Sequence, residues 1–153
     1  MKCEPAAYTI DDLARDGHTG WEGVRNYQAR NFMRDEMQVG DPVLFYASNA
    51  EPSGVTGLAR IARAGYPDPF AWKKGHRYFD AASRQDAPVW YTVDVAFVER
   101  FPKIVSLAAL KSAPGLGQMM VTRKGSRLSI QPVTKAEYDI VARLGREGLP
   151  REP

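Results

Sequence analysis

The strongest alternation of hydrophobic and polar residues in this chain spans residues 89–101. Odd-numbered positions in this stretch, such as Val93, Val95 and Phe97, are more apolar than the even-numbered positions between them. A period of two residues predicts a long strand that buries one of its faces. Pro102 follows directly and is expected to end this strand.

Further strands are predicted from shorter apolar runs. Residues 42–48 are almost entirely apolar, which favours a strand buried on both faces. The turn-forming cluster at 49–54 follows, so residues 55–64 are expected to return as the second strand of an antiparallel hairpin. Residues 127–132 predict a last strand near the end of the chain.

Two helices are predicted in the first part of the chain from capping residues and apolar spacing. Thr9 is a candidate N-cap followed by two aspartates that favour a first helical turn, and Gly17 is expected to stop this helix. Asn26 is the candidate N-cap of a second helix, which Gly40 breaks. The apolar face of this second helix consists of Ala29, Phe32, Met33 and Met37.

Two more helices are predicted in the second part. Ser106 caps a short helix that runs through Ser112. Residues 134–137 match a capping box and open the final helix, with Gly145 as its expected C-cap. The apolar stripe of this helix consists of Tyr138, Val141 and Leu144.

The long segment 66–88 is irregular and contains three prolines. Its aromatic residues, Phe70, Trp72, Tyr78 and Phe79, indicate that it packs onto the domain. A turn or a short helical stretch is predicted at 114–120. Together these elements predict an α+β fold of four to six mostly antiparallel strands, curled into a small barrel with helices at its ends.

Composition places the chain among ordinary globular proteins. Its 153 residues, 44% hydrophobic and 25% charged, suit one domain with one substantial core. We expect no membrane span, because no stretch of 18 apolar residues occurs, and a cytoplasmic location, because the N-terminus has no apolar signal region. A single cysteine, Cys3, excludes an internal disulfide framework and a multi-cysteine metal site.

Charge is distributed unevenly along the chain. The net charge is +3, and the segment between Arg100 and Lys135 contains seven basic residues and no acidic residue. Such a segment attracts polyanions. A solvated basic face without a partner explains the same pattern equally well.

Motifs for hydrolysis or group transfer are not found in the sequence. Neither His18 nor His76 has an acidic or cysteine neighbour at metal-ligand spacing, and no glycine-rich phosphate loop or nucleophile elbow occurs. A Cys3–His18 nucleophile pair remains an alternative that sequence spacing cannot place. We therefore expect neither enzymatic activity nor a bound cofactor or metal.

The densest group of polar and aromatic residues lies at 21–33, across a predicted junction between a loop and a helix. Aromatic rings stack on bases and amides read their edges. Residues of the chain that could wall a base pocket are Trp21, Tyr27, Tyr46 and Trp90. Residues that could read base edges are Asn26, Asn31, Ser48, Asn49 and Gln131. Arginines that could meet phosphates are Arg25, Arg30 and Arg127.

Each of these residues also has a purely structural interpretation. Tyr27, Tyr46 and Trp90 could belong to the core. In this interpretation Asn26 serves only as a helix cap, and Arg30 serves only to pair with the acidic residues at 35–36.

Several motifs of this chain are distinctive. They are Lys2–Pro5, Tyr8–Leu13, Trp21–Met33, Val39–Asp41, Leu44–Asn49, Tyr66–Pro69, Trp90–Val95 and Arg127–Val133. The run Gly-Val-Arg-Asn-Tyr-Gln-Ala-Arg-Asn at 23–31 is the most specific of them. These motifs resemble the EVE domain family of the PUA-like superfamily. The resemblance runs from residue 2 to about residue 145 and predicts a domain at 1–145 with a frayed tail at 146–153.

The resemblance implies a small barrel and a pocket for a modified base, of the 5-methylcytosine type or similar, flipped out of DNA or RNA. Residues implied for the pocket and its rim are Cys3, Glu4, Trp21, Val24, Asn26, Tyr46, Ser48 and Asn49. Residues implied near the nucleic-acid backbone are Arg25, Arg30 and Arg127.

Two features depart from the family pattern. The chain starts at Met1, so the first strand is expected to be a stub, and Cys3 stands where a serine is usual, which weakens any hydrogen bond donated there. Two alternatives stay open: an enzyme that uses Cys3 and Glu4 on a modified nucleotide or small amide, and a module that binds a protein or metabolite through segment 66–88.

Overall fold

The computed structural model describes residues 1–124 and 127–148, which form five strands and four α-helices. The strands are β1 (Lys2–Cys3), β2 (His18–Gly20), β3 (Pro42–Ala47), β4 (Gly54–Pro67) and β5 (Tyr91–Ser106). The α-helices are α1 (Ile10–Asp16), α2 (Tyr27–Asn31), α3 (Leu107–Ser112) and α4 (Lys135–Glu147). A π-helical segment, Phe32–Glu36, continues α2, and 3-10 turns span Pro69–Trp72 and Met120–Thr122.

The five strands form one sheet in the order β1-β3-β4-β5-β2. β1 runs parallel to β3, and the other neighbours are antiparallel. The α+β class with a mostly antiparallel sheet is therefore confirmed. The sheet differs from the expected closed barrel because its two edge strands, β1 and β2, do not pair with each other in the described part of the chain. These edge strands are only two and three residues long.

The predicted hairpin of β3 and β4 is confirmed, but the predicted end of β5 at Pro102 is wrong. Val55 of β4 pairs with Val105, whereas Gly57 pairs with Arg100, so the longer stretch of β5 bulges outward around Pro102. A bulge leaves some N–H groups out of the ladder, and proline has none to donate. β5 therefore continues past the proline to Ser106.

Predicted capping residues begin all four helices. Thr9 and Thr134 form capping boxes, and the side chains of Asn26 and Ser106 accept from backbone amides of α2 and α3. These predicted helix starts are confirmed. They can be predicted from sequence because an N-cap side chain accepts from a backbone amide only two or three residues further along the chain.

The predicted C-cap of the last helix at Gly145 is wrong. Helix α4 continues to Glu147 and ends at Gly148, whose φ is 83°. Gly145 is buried within the helix, where an added Cβ would lie 2.2 Å from the ring of Phe101. The glycine thus permits close packing of α4 on β5. Of the tail predicted at 146–153, residues 146 and 147 belong to α4. Residues 149–153 lie outside the described part.

The strand predicted at 127–132 is also wrong, since the described residues there have no strand structure. One backbone bond joins this segment to β1, from Lys2 N to Ser129 O at 2.9 Å. Gln131 Nε2 bonds locally to Leu128 O at 2.9 Å. Buried Ile130 and partly buried Leu128 pack this segment against the cluster that contains Trp21.

Two hydrophobic clusters lie on the two faces of β3. Val43 and Phe45 belong to the cluster of α1 and α2, which also contains Trp21, and Leu44 and Tyr46 belong to the cluster of α3 and α4. Successive strand residues point to opposite faces, which separates the two sets. No helix within the described residues is long and apolar enough to cross a membrane.

Candidate functional site

Four of the predicted binding residues meet at the end of the parallel pair of strands. Cys3 lies opposite Ala47 in register, and Ser48 N donates to Cys3 O at 3.0 Å. Asn49, in a left-handed conformation with φ 49°, donates through Nδ2 to Glu4 Oε1 at 2.5 Å. This end of the sheet therefore presents an exposed carboxylate and an exposed amide side by side.

Cys3 lies half-buried against the cluster of Trp21 and Phe45. Burial, reinforced by the nearby charge of Glu4, raises the pKa of the Cys3 thiol. A thiol with a raised pKa stays protonated at neutral pH and is a poor nucleophile. Cys3 can contribute apolar surface and a weak donor, but its environment does not activate it.

Trp21 is largely buried, with 9% of its surface exposed. Its indole meets the ring of Phe45 edge-on, with centroids 5.7 Å apart, and its backbone N donates to Val93 O at 2.9 Å. Val24 is half-buried and packs against the same hydrophobic cluster. Trp21 and Val24, from the loop before α2, and Cys3, from β1, are thus brought to one cluster.

The structure does not bring Tyr46 to this group. Tyr46 is buried in the cluster of α3 and α4, on the face of β3 opposite Phe45. Burial raises the pKa of its hydroxyl, and Lys2 Nζ lies 5.8 Å from the centroid of its ring. The packing interpretation of Tyr46 is therefore the one that its surroundings support.

Asn26 is exposed at the start of α2. Its Oδ1 accepts from Ala29 N at 3.0 Å, so the capping interpretation is confirmed. The cap uses only the amide oxygen, and the NH₂ group of the same side chain is still a donor. Capping therefore fixes the position of Asn26 without using its donors.

Arg25 is half-buried and engaged inside the protein. Its Nη1 donates to Asp68 Oδ2 and to Val24 O, both at 3.0 Å, and its Nη2 donates to Tyr78 O at 2.7 Å. Asp68 is fully buried and also accepts from Gly23 N at 2.9 Å. These bonds tie the loop before α2 to segment 66–88.

Arg30 and Arg127 differ in how firmly they are held. Arg30 donates through Nη1 to Val89 O at 3.1 Å and through Nη2 to Asn31 Oδ1 at 2.9 Å. The predicted alternative partner of Arg30, Asp35, instead pairs with Arg34 at 2.8 Å. Arg127 is exposed at the start of segment 127–132.

Sequence reasoning missed Asp68 and Asp80. Asp68 anchors Arg25, and Asp80 Oδ2 accepts from the indole Nε1 of Trp90 at 2.7 Å. Trp90 is buried and stacks on Tyr27. A sequence signal existed for Asp68, because an aspartate between two prolines, Pro67 and Pro69, is typical of a helix start. None existed for Asp80.

A cleft of about 520 Å³ lies away from these residues, between β3, α4 and residues 130–134. Its lining is largely apolar, and it includes Gln131, one of the residues predicted to read base edges. The polar pair at the end of β1 and β3 places a carboxylate and an amide side by side, whereas this lining is largely apolar. We therefore place the candidate site at that end of the sheet.

The fold bears on the Cys3–His18 nucleophile pair and on the role of segment 66–88. Cys3 is on β1 and His18 on β2, the two edge strands of the sheet, and Cys3 Sγ donates to the neighbouring Glu4 O at 3.7 Å. Segment 66–88 is anchored by the buried residues Asp68, Ala71 and Ser83. It covers the domain, as its aromatic content indicated.

The chain is similar to known proteins along nearly its whole length. The family model described as EVE domain matches residues 1–144. Thymocyte nuclear protein 1 of Homo sapiens is 38% identical over 164 residues, which cover 94% of this chain and 72% of the relative.

Two solved structures are similar along nearly the whole chain. A crystal structure of a protein from Pseudomonas putida is 46% identical, with a TM-score of 0.89 over 94% of this chain and 96% of that chain. A crystal structure of the human THYN1 protein in complex with 5-methylcytosine-containing DNA is 38% identical. Its TM-score is 0.86, over 100% of this chain and 97% of that chain.

Proposed function

This chain belongs to the EVE domain family, and on that premise we propose that it binds a modified base flipped out of DNA or RNA. The base is of the 5-methylcytosine type. The observation that carries the proposal is the similarity of the entire chain to a human protein whose structure contains 5-methylcytosine-containing DNA.

The residues at the end of β1 and β3 suit the recognition of a flipped cytosine. Such a base is held by apolar or aromatic side chains and read through hydrogen bonds to its edge. In the proposal, Trp21, Val24 and Cys3 supply the apolar side that a 5-methyl group would contact. The carboxylate of Glu4 accepts from the exocyclic amine, as acidic side chains do with cytosine. Asn49, held to Glu4 at 2.5 Å, fixes that carboxylate.

The remaining predicted residues take supporting roles in the proposal. Asn26 offers its NH₂ group to the base edge, and Ser48 lies beside Cys3 at the rim. Arg30 and Arg127 meet the phosphates. Arg25 acts by holding the loop of Trp21 and Val24 in place, because its guanidinium bonds to Asp68. Tyr46 supports β3 from the opposite face.

We propose binding without turnover. The raised pKa of the Cys3 thiol and the placement of His18 on the far edge of the sheet leave a covalent mechanism without an activated nucleophile. The expected cytoplasmic location stays a prediction, and the similar human protein is named as nuclear.

The function is tested by titrating the protein with matched strands that differ in one base. DNA and RNA strands, single and double, carry either cytosine or 5-methylcytosine at the centre, at one stated salt concentration. We expect tighter binding to at least one methylated strand than to its unmodified match. Equal affinities across every matched pair would contradict the proposal.

The variant Asn26→Ser separates base reading from helix capping. Serine caps helices about as well as asparagine but has no NH₂ group. We expect its free energy of unfolding to match the wild type within about 0.5 kcal/mol and its preference for the methylated strand to fall. Asn26→Ala, the matched control, should lose about 1 kcal/mol of stability as well. Unchanged preference in Asn26→Ser would restrict this residue to capping.

A further inference from the structure

Tyr27 has an exposed but supported aromatic ring. It is 61% exposed, although it directly follows Asn26 in the candidate site. One side of the ring stacks on Trp90, with centroids 5.0 Å apart and planes 24° apart. Trp90 is itself buried and fixed by the bond from Nε1 to Asp80. Core packing explains Trp90, but it does not explain an exposed tyrosine on top of it.

Arginines lie along the same surface. The Cζ atom of Arg30 is 4.8 Å from the centroid of the Tyr27 ring, and Arg30 is fixed by its bond to Val89 O. One turn further, the Cζ atom of Arg34 is 5.9 Å from the centroid of Tyr91. We call Tyr27, Arg30, Arg34 and Tyr91 the arginine–tyrosine ladder.

The ladder has the chemistry of a surface for unpaired nucleotides. Unstacked bases bind to aromatic rings and to guanidinium planes, and cations beside them neutralise the phosphates. Tyr27 and Arg30 are already held by Trp90 and Val89, so little conformational entropy is lost when a base binds to them. The carboxylate of Asp35, 2.8 Å from Arg34, reduces the positive charge at the far end of the ladder.

Resting on the proposed function, we propose that the arginine–tyrosine ladder binds the nucleotide next to the flipped base. Tyr27 stacks on that neighbouring base, and Arg30 and Arg34 contact the phosphates that join the two nucleotides. The adjacency of Asn26 and Tyr27 in the chain places the two binding surfaces side by side. The flipped base gives selectivity, and the ladder adds affinity for the strand whatever the neighbouring base is.

The test compares a free nucleoside with a strand. Wild type, Tyr27→Ala and Tyr27→Leu are titrated with 5-methylcytidine and with single strands of a few nucleotides, DNA and RNA, that carry 5-methylcytosine at the centre. Loss of a stacked base lowers affinity about 5- to 100-fold. We expect that loss for the strands and no change for the nucleoside. Tyr27→Phe should bind strands like the wild type.

Tyr27→Leu and one further variant, Phe79→Ala, exclude loss of folding and loss of any exposed ring as explanations. Tyr27→Leu still covers Trp90, so its thermal unfolding should match the wild type while strand affinity falls. Phe79→Ala removes another exposed ring, in segment 66–88, and should leave strand affinity unchanged.

The outcomes distinguish this inference from the proposed function. Equal losses for nucleoside and strand in Tyr27→Leu, or no loss for either, would overturn the ladder. If instead the wild type binds methylated and unmethylated strands equally, the proposed function fails. The comparison of strand affinities between wild type and Tyr27→Leu still decides whether the ladder binds a nucleotide, because stacking on Tyr27 does not depend on methylation.

Discussion

Asp80 shows how one side chain can fix a surface that it does not form. Its carboxylate accepts from the indole of Trp90 at 2.7 Å and from Ala82 N at 3.0 Å. Trp90 in turn supports the ring of Tyr27. Segment 66–88 therefore reaches the surface beside α2 through a hydrogen bond to a buried indole.

The stability of this arrangement should depend on pH. The bond from Trp90, and then that from Ala82, hold the pKa of Asp80 below its ordinary value of 3.8. A lowered carboxyl pKa adds stability above the ordinary pKa, and this stability is lost as pH falls through the folded pKa. We expect wild type to lose more stability than Asp80→Asn as pH falls from about 6 to about 2. Urea denaturation measures both, and parallel curves would contradict the assignment.

At the residue scale, the sequence was most informative where a group acts on its near neighbours. Thr9, Asn26, Ser106 and Thr134 all cap the helices that they were predicted to cap. Gly145 was misassigned because a glycine that ends a helix and a glycine that permits close packing look alike in sequence. Only the ring of Phe101 distinguishes the two roles here.

At the scale of elements, the Arg25–Asp68 pair joins segment 66–88 to the loop before α2. Asp68 is fully buried and accepts from Arg25, Gly23 and Phe70. The carboxylate therefore depends on several donors that come from both segments. The Arg25–Asp68 pair therefore holds the loop that carries Trp21 and Val24 in place.

Removing Arg25 should loosen the attachment of segment 66–88. In Arg25→Gln the buried carboxylate of Asp68 loses its cationic partner, which costs about 3 kcal/mol. Arg77→Gln is the matched control, since Arg77 is exposed on the same segment and bonds to Tyr78 Oη at 2.7 Å. We expect faster hydrogen exchange across 66–88 in Arg25→Gln alone. Equal protection in both variants would show that Arg25 is not the anchor.

The end of β5 and the strand at 127–132 were predicted less well than the hairpin of β3 and β4. The hairpin of β3 and β4 follows from a local apolar pattern and a turn, and both strands form. The end of β5 depends on a bulge opposite Val55 and Gly57, and segment 127–132 packs against the cluster that contains Trp21. Each of these features is decided by a partner that is distant in the sequence.

At the scale of the whole molecule, the excess of positive charge is small and local. The net charge is +3, and two cations of the acid-free segment are paired, Arg100 with Asp11 and Lys135 with Asp139. Nonspecific attraction of nucleic acid by the whole surface should therefore be modest. Affinity is expected to depend on a few placed contacts.

The salt dependence of binding should report those contacts. The affinity falls as salt rises, so the slope of log affinity against log salt is negative. If Arg127 contacts one phosphate, Arg127→Gln reduces the magnitude of this slope by about 0.7 for a single strand. Methylated and unmethylated strands should lose affinity equally, because a phosphate contact carries no base information. Arg84→Gln is the control, since Arg84 is already paired with Asp86 at 3.4 Å. An unchanged slope would place Arg127 away from the nucleic acid.

The sequence alone determined the class of the fold, the helix starts, the hairpin and the family, because these depend on neighbours in the chain or on a long specific motif. The tertiary structure decided which predicted residues stand together. It separated Tyr46 from Trp21 across β3, turned Arg25 inward to Asp68 and placed Tyr27 over Trp90. The physical reason is that side-chain direction depends on strand register and on partners tens of residues away, which local patterns do not encode.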